Sequence, residues 1–144
     1  MSDAQESATA PLHDIVIHPR FKLAGLWTSV MFCYVYGDIF DLFRADRARA
    51  ILAGRTAIGA TTQEALFGFA VMLSIPALMI ALSLMLGAQT TRAANIVAGA
   101  LFTLIIILTV PGSWWFNHYL GAIEISLTLT VMAVAWRWPR EARP

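Results

Sequence analysis

The sequence predicts an all-α integral membrane protein, a four-helix bundle whose helices run up, down, up and down. The first observation behind this prediction is a run of 27 residues, 65–91, without a charged side chain. The second is the composition, because only 13% of the residues are charged, against about 25% in soluble domains. About 20 helical residues cross the roughly 30 Å hydrocarbon core of a bilayer. A soluble chain of 144 residues has too much surface to bury four such helices.

Four apolar segments are long enough to span the bilayer. The expected spans are residues 22–43, 64–87, 93–110 and 116–138, in a transmembrane domain over 21–139 that lies between a mobile N-terminal tail, 1–20, and a C-terminal tail, 140–144. The short links 88–92 and 111–115 force antiparallel neighbours. The longer link, 44–63, begins with a helix-compatible sequence that either extends the first helix or lies at the membrane surface.

Small residues recur at helical spacing on two of the spans. In lipid, such stripes let helix backbones approach closely, so we expect both to pack against neighbouring helices. The stripes are Ala70, Ser74, Ala77 and Ala81 on the second span, and Ala94, Asn95, Ala98 and Gly99 on the third.

The basic residues favour one orientation in the membrane. Six lie on the side of both termini, namely Arg20, Lys22, Arg92, Arg137, Arg140 and Arg143, and four lie on the opposite side, namely Arg44, Arg47, Arg49 and Arg55. Cytoplasmic segments carry the excess of Lys and Arg. We therefore expect a multi-pass protein of the cell (inner) membrane with both termini in the cytoplasm.

Acidic side chains inside the spans are costly in lipid and therefore indicate candidate sites. One face of the first span carries Trp27, Met31, Tyr34, Asp38 and Asp41, and one face of the fourth carries Asn117, Gly121, Glu124 and Thr128. Both faces direct their acids toward the membrane side opposite the termini. The sequence thus predicts a pocket open to that side, with these ligand- or proton-binding candidates: Tyr34, Asp38 and Glu124, then Asp41, His118 and Tyr36.

Each candidate also has a purely structural interpretation. Asp38 and Asp41 can pair with the arginines of the following link, and Glu64 suits the first turn of a helix, where an acid is favourable. His118 lies among aromatic residues that are typical of a membrane interface. We favour the structural interpretation for Asp41, Glu64 and His118. Both interpretations stay open for Tyr34, Asp38 and Glu124.

Several chemistries lack the residues that they need. The one cysteine, Cys33, excludes an intrachain disulfide, and no two of the three histidines fall at mid-membrane depth on facing helices, so we expect no bis-histidine haem. No Glu-x-x-His pair for a carboxylate-bridged metal site and no HExxH, GxSxG or P-loop motif occurs. A net charge of +1 does not favour nucleic acid. The expected partners are the lipid bilayer and either a second copy or a membrane partner protein.

Five short motifs carry a family resemblance. They are YVYGDI at 34–39, Ile75-Pro76, RAANI at 92–96, Ile123-Glu124 and AWRW at 135–138. With these motifs, residues 22–138 resemble an uncharacterised bacterial family of small four-span membrane proteins whose layout is similar to that of DoxX-like proteins. The resemblance implies the four-span fold and, because that family has no assigned activity, no particular function.

Three functions stay open on the sequence alone. The one that we favour is a non-enzymatic membrane protein that binds a small amphiphile or a partner helix at the polar cluster. The second is a proton-coupled or solute transporter or channel in an oligomer, since four helices enclose little space. The third is a quinone- or lipid-linked membrane enzyme subunit with Asp38 and Glu124 as acid and base. It ranks last because no nucleophile or metal motif supports it.

Overall fold

Helices make up about four-fifths of the chain that the structure describes. The computed structural model describes residues 15–56 and 59–139, so the predicted C-terminal tail and most of the predicted N-terminal tail lie outside the described residues. The elements are α1 (Pro19–Leu42), α2 (Ala45–Leu52), β1 (Arg55–Thr56), β2 (Gly59–Ala60), α3 (Gln63–Met85), α4 (Ala88–Thr109) and α5 (Trp115–Trp136). Helices α1, α3, α4 and α5 are long and apolar enough to cross a membrane. The predicted all-α membrane bundle is confirmed.

Helix α4 begins earlier than the sequence predicted. Residues 88–92, expected as a link, form its first turn, and Gly87 precedes them as an extended N-cap. The Thr91 hydroxyl donates to the Leu86 carbonyl at 3.1 Å, which closes the turn onto the end of α3. Polarity alone suggested a loop here, although every residue in this segment is compatible with a helix. Only Leu86 and Gly87 therefore join α3 to α4.

The segment after α1 forms a separate helix rather than an extension of α1. Arg44 lies at the junction, where its guanidinium contacts Asp41 at 3.0 Å and Asp46 at 2.7 Å. The hydrogen bond from Arg44 holds the pKa of the Asp46 carboxyl below its ordinary value. After α2, Gly54 adopts a left-handed φ of 68° and leads into the antiparallel β1–β2 hairpin, which the sequence did not predict.

The four long helices form a ring in the order α3, α1, α5, α4. Helix α1 packs against α3 and α5, and α5 packs against α4, whereas α3 and α4 have the fewest contacts of the neighbouring pairs in this ring. We call the end of the bundle at Pro19, Gly87 and Arg137 the terminal face. The opposite end, at Leu42, Gln63 and Trp115, is the hairpin face.

A buried hydrogen-bond network connects three helices in the half of the bundle near the terminal face. The Trp27 indole Nε1 donates to Asn95 Oδ1 at 2.7 Å, and Asn95 Nδ2 donates to Ser83 Oγ at 3.1 Å and to the Thr91 carbonyl at 2.8 Å. These residues lie on α1, α3 and α4, and the side chains of Trp27, Ser83 and Asn95 are fully buried. The direct polar contact between α3 and α4 is therefore concentrated near the terminal face.

One small-residue stripe packs as predicted and the other does not. On α4, Asn95, Ala98 and Gly99 are buried, and a Cβ at Gly99 would lie 3.2 Å from the Thr128 carbonyl oxygen of α5. On α3, the predicted packing stripe is wrong, because its four residues are exposed: Ala70, Ser74, Ala77 and Ala81. Pro76, Met79 and Ser83 face the core instead. Lipid accepts apolar side chains of any size, so a small-residue stripe does not by itself identify the packed face.

Candidate ligand-binding cavity

A cavity of about 580 Å³ lies between the four long helices toward the hairpin face. Pockets of roughly 300–1,000 Å³ accommodate drug-sized molecules. Its apolar walls come mainly from α3 and α4 and include Phe69, Met72, Leu73, Phe102, Ile105 and Ile106. The cavity occupies the half of the bundle where α3 and α4 lack the polar contact of the terminal half.

The mouth of the cavity is built by α2 and the hairpin. Arg47 and Ile51 of α2, Arg55 of β1 and Thr61 after β2 all line it. Ile51 and Arg55 are exposed, whereas Arg47 is half-buried. The segment between α1 and α3 is therefore part of the site and not only a connection between helices.

Four of the six predicted site residues line this one cavity: Tyr34, Asp38, Asp41 and Glu124. At 1.5 Å per residue, Tyr34 lies about 12 Å from the hairpin-face end of α1, and Asp38 lies about 6 Å from it. Glu124 lies about 13 Å from the start of α5. Tyr34 and Glu124 therefore share a depth, and Asp38 lies between them and the hairpin face.

Glu124 is the most enclosed acid of the site. Its exposed fraction is 7%, and within residues 15–56 and 59–139 its carboxyl group has no hydrogen-bond or ion-pair partner. The Thr128 hydroxyl donates to the Glu124 backbone carbonyl and leaves the carboxyl free. Burying a polar group without a partner costs several kcal/mol. Glu124 is thus a carboxyl group that opens onto a cavity and lacks a partner there.

Tyr34 presents a second unsatisfied polar group at the same depth. Its hydroxyl is buried and has no hydrogen-bond partner among the described residues. Its ring packs against Phe102, with 6.2 Å between the ring centroids. The apolar packing fixes the ring, and the enclosed hydroxyl is left without a hydrogen-bond partner among the described residues.

Asp41 and Asp38 differ in their pairing. Arg44 and Arg47 contact the Asp41 carboxyl at 3.0 and 3.6 Å, so Asp41 fits the structural interpretation. Asp38 is exposed and makes no ion pair in the part of the chain that the structure describes. Among the described residues, Asp41 is therefore held in ion pairs and Asp38 is in none.

The two remaining candidates lie outside the cavity. Tyr36 is exposed and its ring lies between those of Phe32 and Phe40, at centroid distances of 6.4 and 6.3 Å. His118 is exposed, and its Nδ1 lies 3.1 Å from the carbonyl oxygen of Trp114 on its own helix. Both positions fit an interfacial role. Glu64 is likewise exposed and outside the cavity lining.

Cys33 is a lining residue that the sequence did not single out. It is half-buried and lines the cavity beside Tyr34. Cys33 lies 100° around α1 from the predicted polar face. It therefore lines the cavity only because the cavity is wide. Across the described residues, no group of three His, Cys, Asp or Glu side chains could hold a metal ion.

The fold and the cavity together define a multi-pass membrane protein built as a four-helix bundle with an internal polar pocket. The chain belongs to a family of unknown function, DUF6326, whose model matches residues 17–143. This agrees with the predicted membership of an uncharacterised four-span family. No curated protein and no solved structure matches the chain.

Proposed function

We propose that this protein binds a small amphiphile in the cavity. The apolar body of the ligand lies against the side chains of α3 and α4, and its polar head meets Glu124, Tyr34 and Asp38. The observation that carries the proposal is the Glu124 carboxyl group, which is 7% exposed, lines the cavity and has no partner among the described residues. A ligand that supplies a hydrogen-bond donor there removes the cost of burying that group.

The arrangement of the helices supports entry from the bilayer. Because α3 and α4 contact each other least and are fastened together near the terminal face, the gap between them lies toward the hairpin face. Residues on both sides of this gap, including Leu66 on α3 and Thr109 on α4, line the cavity. An amphiphile dissolved in the membrane reaches the polar groups by this route without crossing an aqueous phase.

The placement of the protein in the cell is part of the same proposal. We place the protein in the inner membrane of a bacterium, with both termini in the cytoplasm, because the sequence prediction assigns six of the ten Lys and Arg residues to the side of the termini. We further propose that the helices have a DoxX-like layout. The protein also associates with a second copy or with a membrane partner protein in this proposal.

Filling the cavity should remove the bound amphiphile. Leu73 on α3 lines the cavity, so we expect Leu73→Trp to occupy the space that the ligand needs. The matched control is Leu78→Trp on the same helix, where Leu78 is 56% exposed and lies outside the lining. Native mass spectrometry of the full chain, extracted from its membrane in mild detergent, measures the added mass directly.

The expected result is a small-molecule adduct on the wild-type protein and on Leu78→Trp that is absent from Leu73→Trp. An adduct that persists in Leu73→Trp would place the binding site elsewhere. The absence of any adduct from all three proteins would count against an amphiphile site.

A further inference from the structure

We infer that the head group of the bound amphiphile is a cation, and specifically a protonated amine. This inference rests on the proposed function, since it assigns the chemical class of the ligand in the same cavity. It follows from the balance of charges around the cavity, from the depth of two polar groups and from the aromatic rings beside them.

The ion pairs leave two carboxyl groups of the lining unpaired. Three acids line the cavity, and Asp41 is neutralised by Arg44 and Arg47. Glu124 and Asp38 are in no ion pair within residues 15–56 and 59–139. The remaining guanidinium of the lining belongs to Arg55, which is exposed at the mouth. The deep part of the cavity therefore carries an excess of acid.

A low dielectric medium strengthens the attraction of these acids for a cation. Coulomb interactions that are weak in water become several times stronger in a protein interior. An anionic head group would meet Glu124 and Asp38 as like charges. A neutral head group would suit Glu124 only in its protonated form and would leave the charge of Asp38 in place. A cation resolves both problems at once.

The geometry near Glu124 suits an ammonium group. Tyr34 and Glu124 lie at nearly the same depth, and neither the Tyr34 hydroxyl nor the Glu124 carboxyl has a partner among the described residues. An ammonium group carries up to three N–H donors, so it can donate to the Glu124 carboxylate and to a further acceptor beside it. The half-buried rings of Tyr34 and Phe69 line the same space, and an aromatic ring attracts a cation that lies over its face.

Two probes of the same shape separate the charge of the head group from the fit of the body. 1-Adamantylamine and 1-adamantanol share a compact cage and differ only in the head group. The amine is protonated at neutral pH. Equilibrium dialysis against the full chain in zwitterionic nanodiscs, with empty nanodiscs subtracted, gives both affinities. The variants are Glu124→Gln, Asp38→Asn, Leu73→Trp and the control Glu64→Gln, which makes the same substitution at an exposed acid outside the cavity.

We expect the wild-type protein and Glu64→Gln to bind the amine at least about tenfold more tightly than the alcohol, as is typical of a hydrogen bond to a charged group. Glu124→Gln should remove this preference and keep the affinity for the alcohol within about twofold. Asp38→Asn, which leaves the enclosed acid in place, should reduce the preference without removing it. Leu73→Trp should abolish the binding of both probes.

The outcomes distinguish the inference from the proposed function. Equal affinities for amine and alcohol, both lost in Leu73→Trp, would contradict the inference that the head group is a cation. The same result would still support the proposed amphiphile site. An amine preference that survives Glu124→Gln would also overturn the inference. If neither probe binds the wild-type protein above empty nanodiscs, both the inference and the proposed function fail.

Discussion

Replacing Asn95 with alanine should lower the free energy of unfolding by about 2–3 kcal/mol. The substitution leaves the Trp27 indole N–H and the Ser83 hydroxyl buried without partners, and each unsatisfied buried group costs about 1–3 kcal/mol. Hydrogen bonds between membrane helices are often weaker, averaging about 0.6 kcal/mol, because the unfolded helices also find partners. We expect a larger loss here because one amide connects three helices and its removal also leaves a small void.

Unfolding in mixed micelles with increasing SDS measures this loss. Ser29→Ala is the control, because Ser29 is exposed and its hydroxyl bonds only to the Gly25 carbonyl of its own helix. A double-mutant cycle of Trp27→Phe with Asn95→Ala should show that the two losses are not additive. A loss below about 0.5 kcal/mol in Asn95→Ala would contradict the role of this network.

Two glycine-to-alanine substitutions should change stability in opposite directions. A Cβ at Gly121 would lie 2.7 Å from Val110 Cγ2, and the branched side chain of Val110 has little freedom to move away. Gly121→Ala should therefore force α4 and α5 apart and cost about 1–3 kcal/mol. A Cβ at Gly68 meets no atom within 4 Å, so Gly68→Ala should stabilise α3 by about 0.5–1 kcal/mol.

The same SDS titration compares the two variants, and the sign of each change is the result that matters. Because both substitutions are identical, helix propensity contributes equally and the difference reports the packing of α5 on α4. A Gly121→Ala protein as stable as Gly68→Ala would mean that the close approach of these helices is not needed for the fold.

The fold could be predicted from the sequence because the bilayer imposes it. Uncharged runs of about 20 residues with short links leave few alternatives to an antiparallel bundle. The inward faces of α1 and α5 were also predictable, since each carries an acid that lipid disfavours. The structure places Tyr34 and Asp38 from one face and Glu124 from the other around a single cavity.

Other features could not be predicted because their signals are weak in a membrane protein. Helix α3 is apolar on every side, so nothing in its pattern distinguished the buried Met79 from the exposed Ala77. The β1–β2 hairpin is two residues long on each side, too short for a strand pattern to show. The place of Cys33 depends on how far the helices are separated, which no single segment specifies.

Cys33 offers the most direct test of the central claim, which is that the bundle contains a cavity that a small amphiphile occupies. It is the one cysteine of the chain and it lines the cavity, so the wild-type protein carries its own reporter. Intact-protein mass spectrometry follows its alkylation by N-ethylmaleimide in nanodiscs, with and without 1-adamantylamine. Leu78→Trp serves again as the control for a general effect of the substitution.

At a probe concentration ten times its dissociation constant, about one molecule in eleven is unoccupied, so the alkylation of Cys33 should slow about elevenfold. Leu73→Trp should slow it without any probe, whereas Leu78→Trp should not. An alkylation rate that the probe leaves unchanged, although the probe binds, would contradict the placement of the ligand beside Cys33 and Glu124.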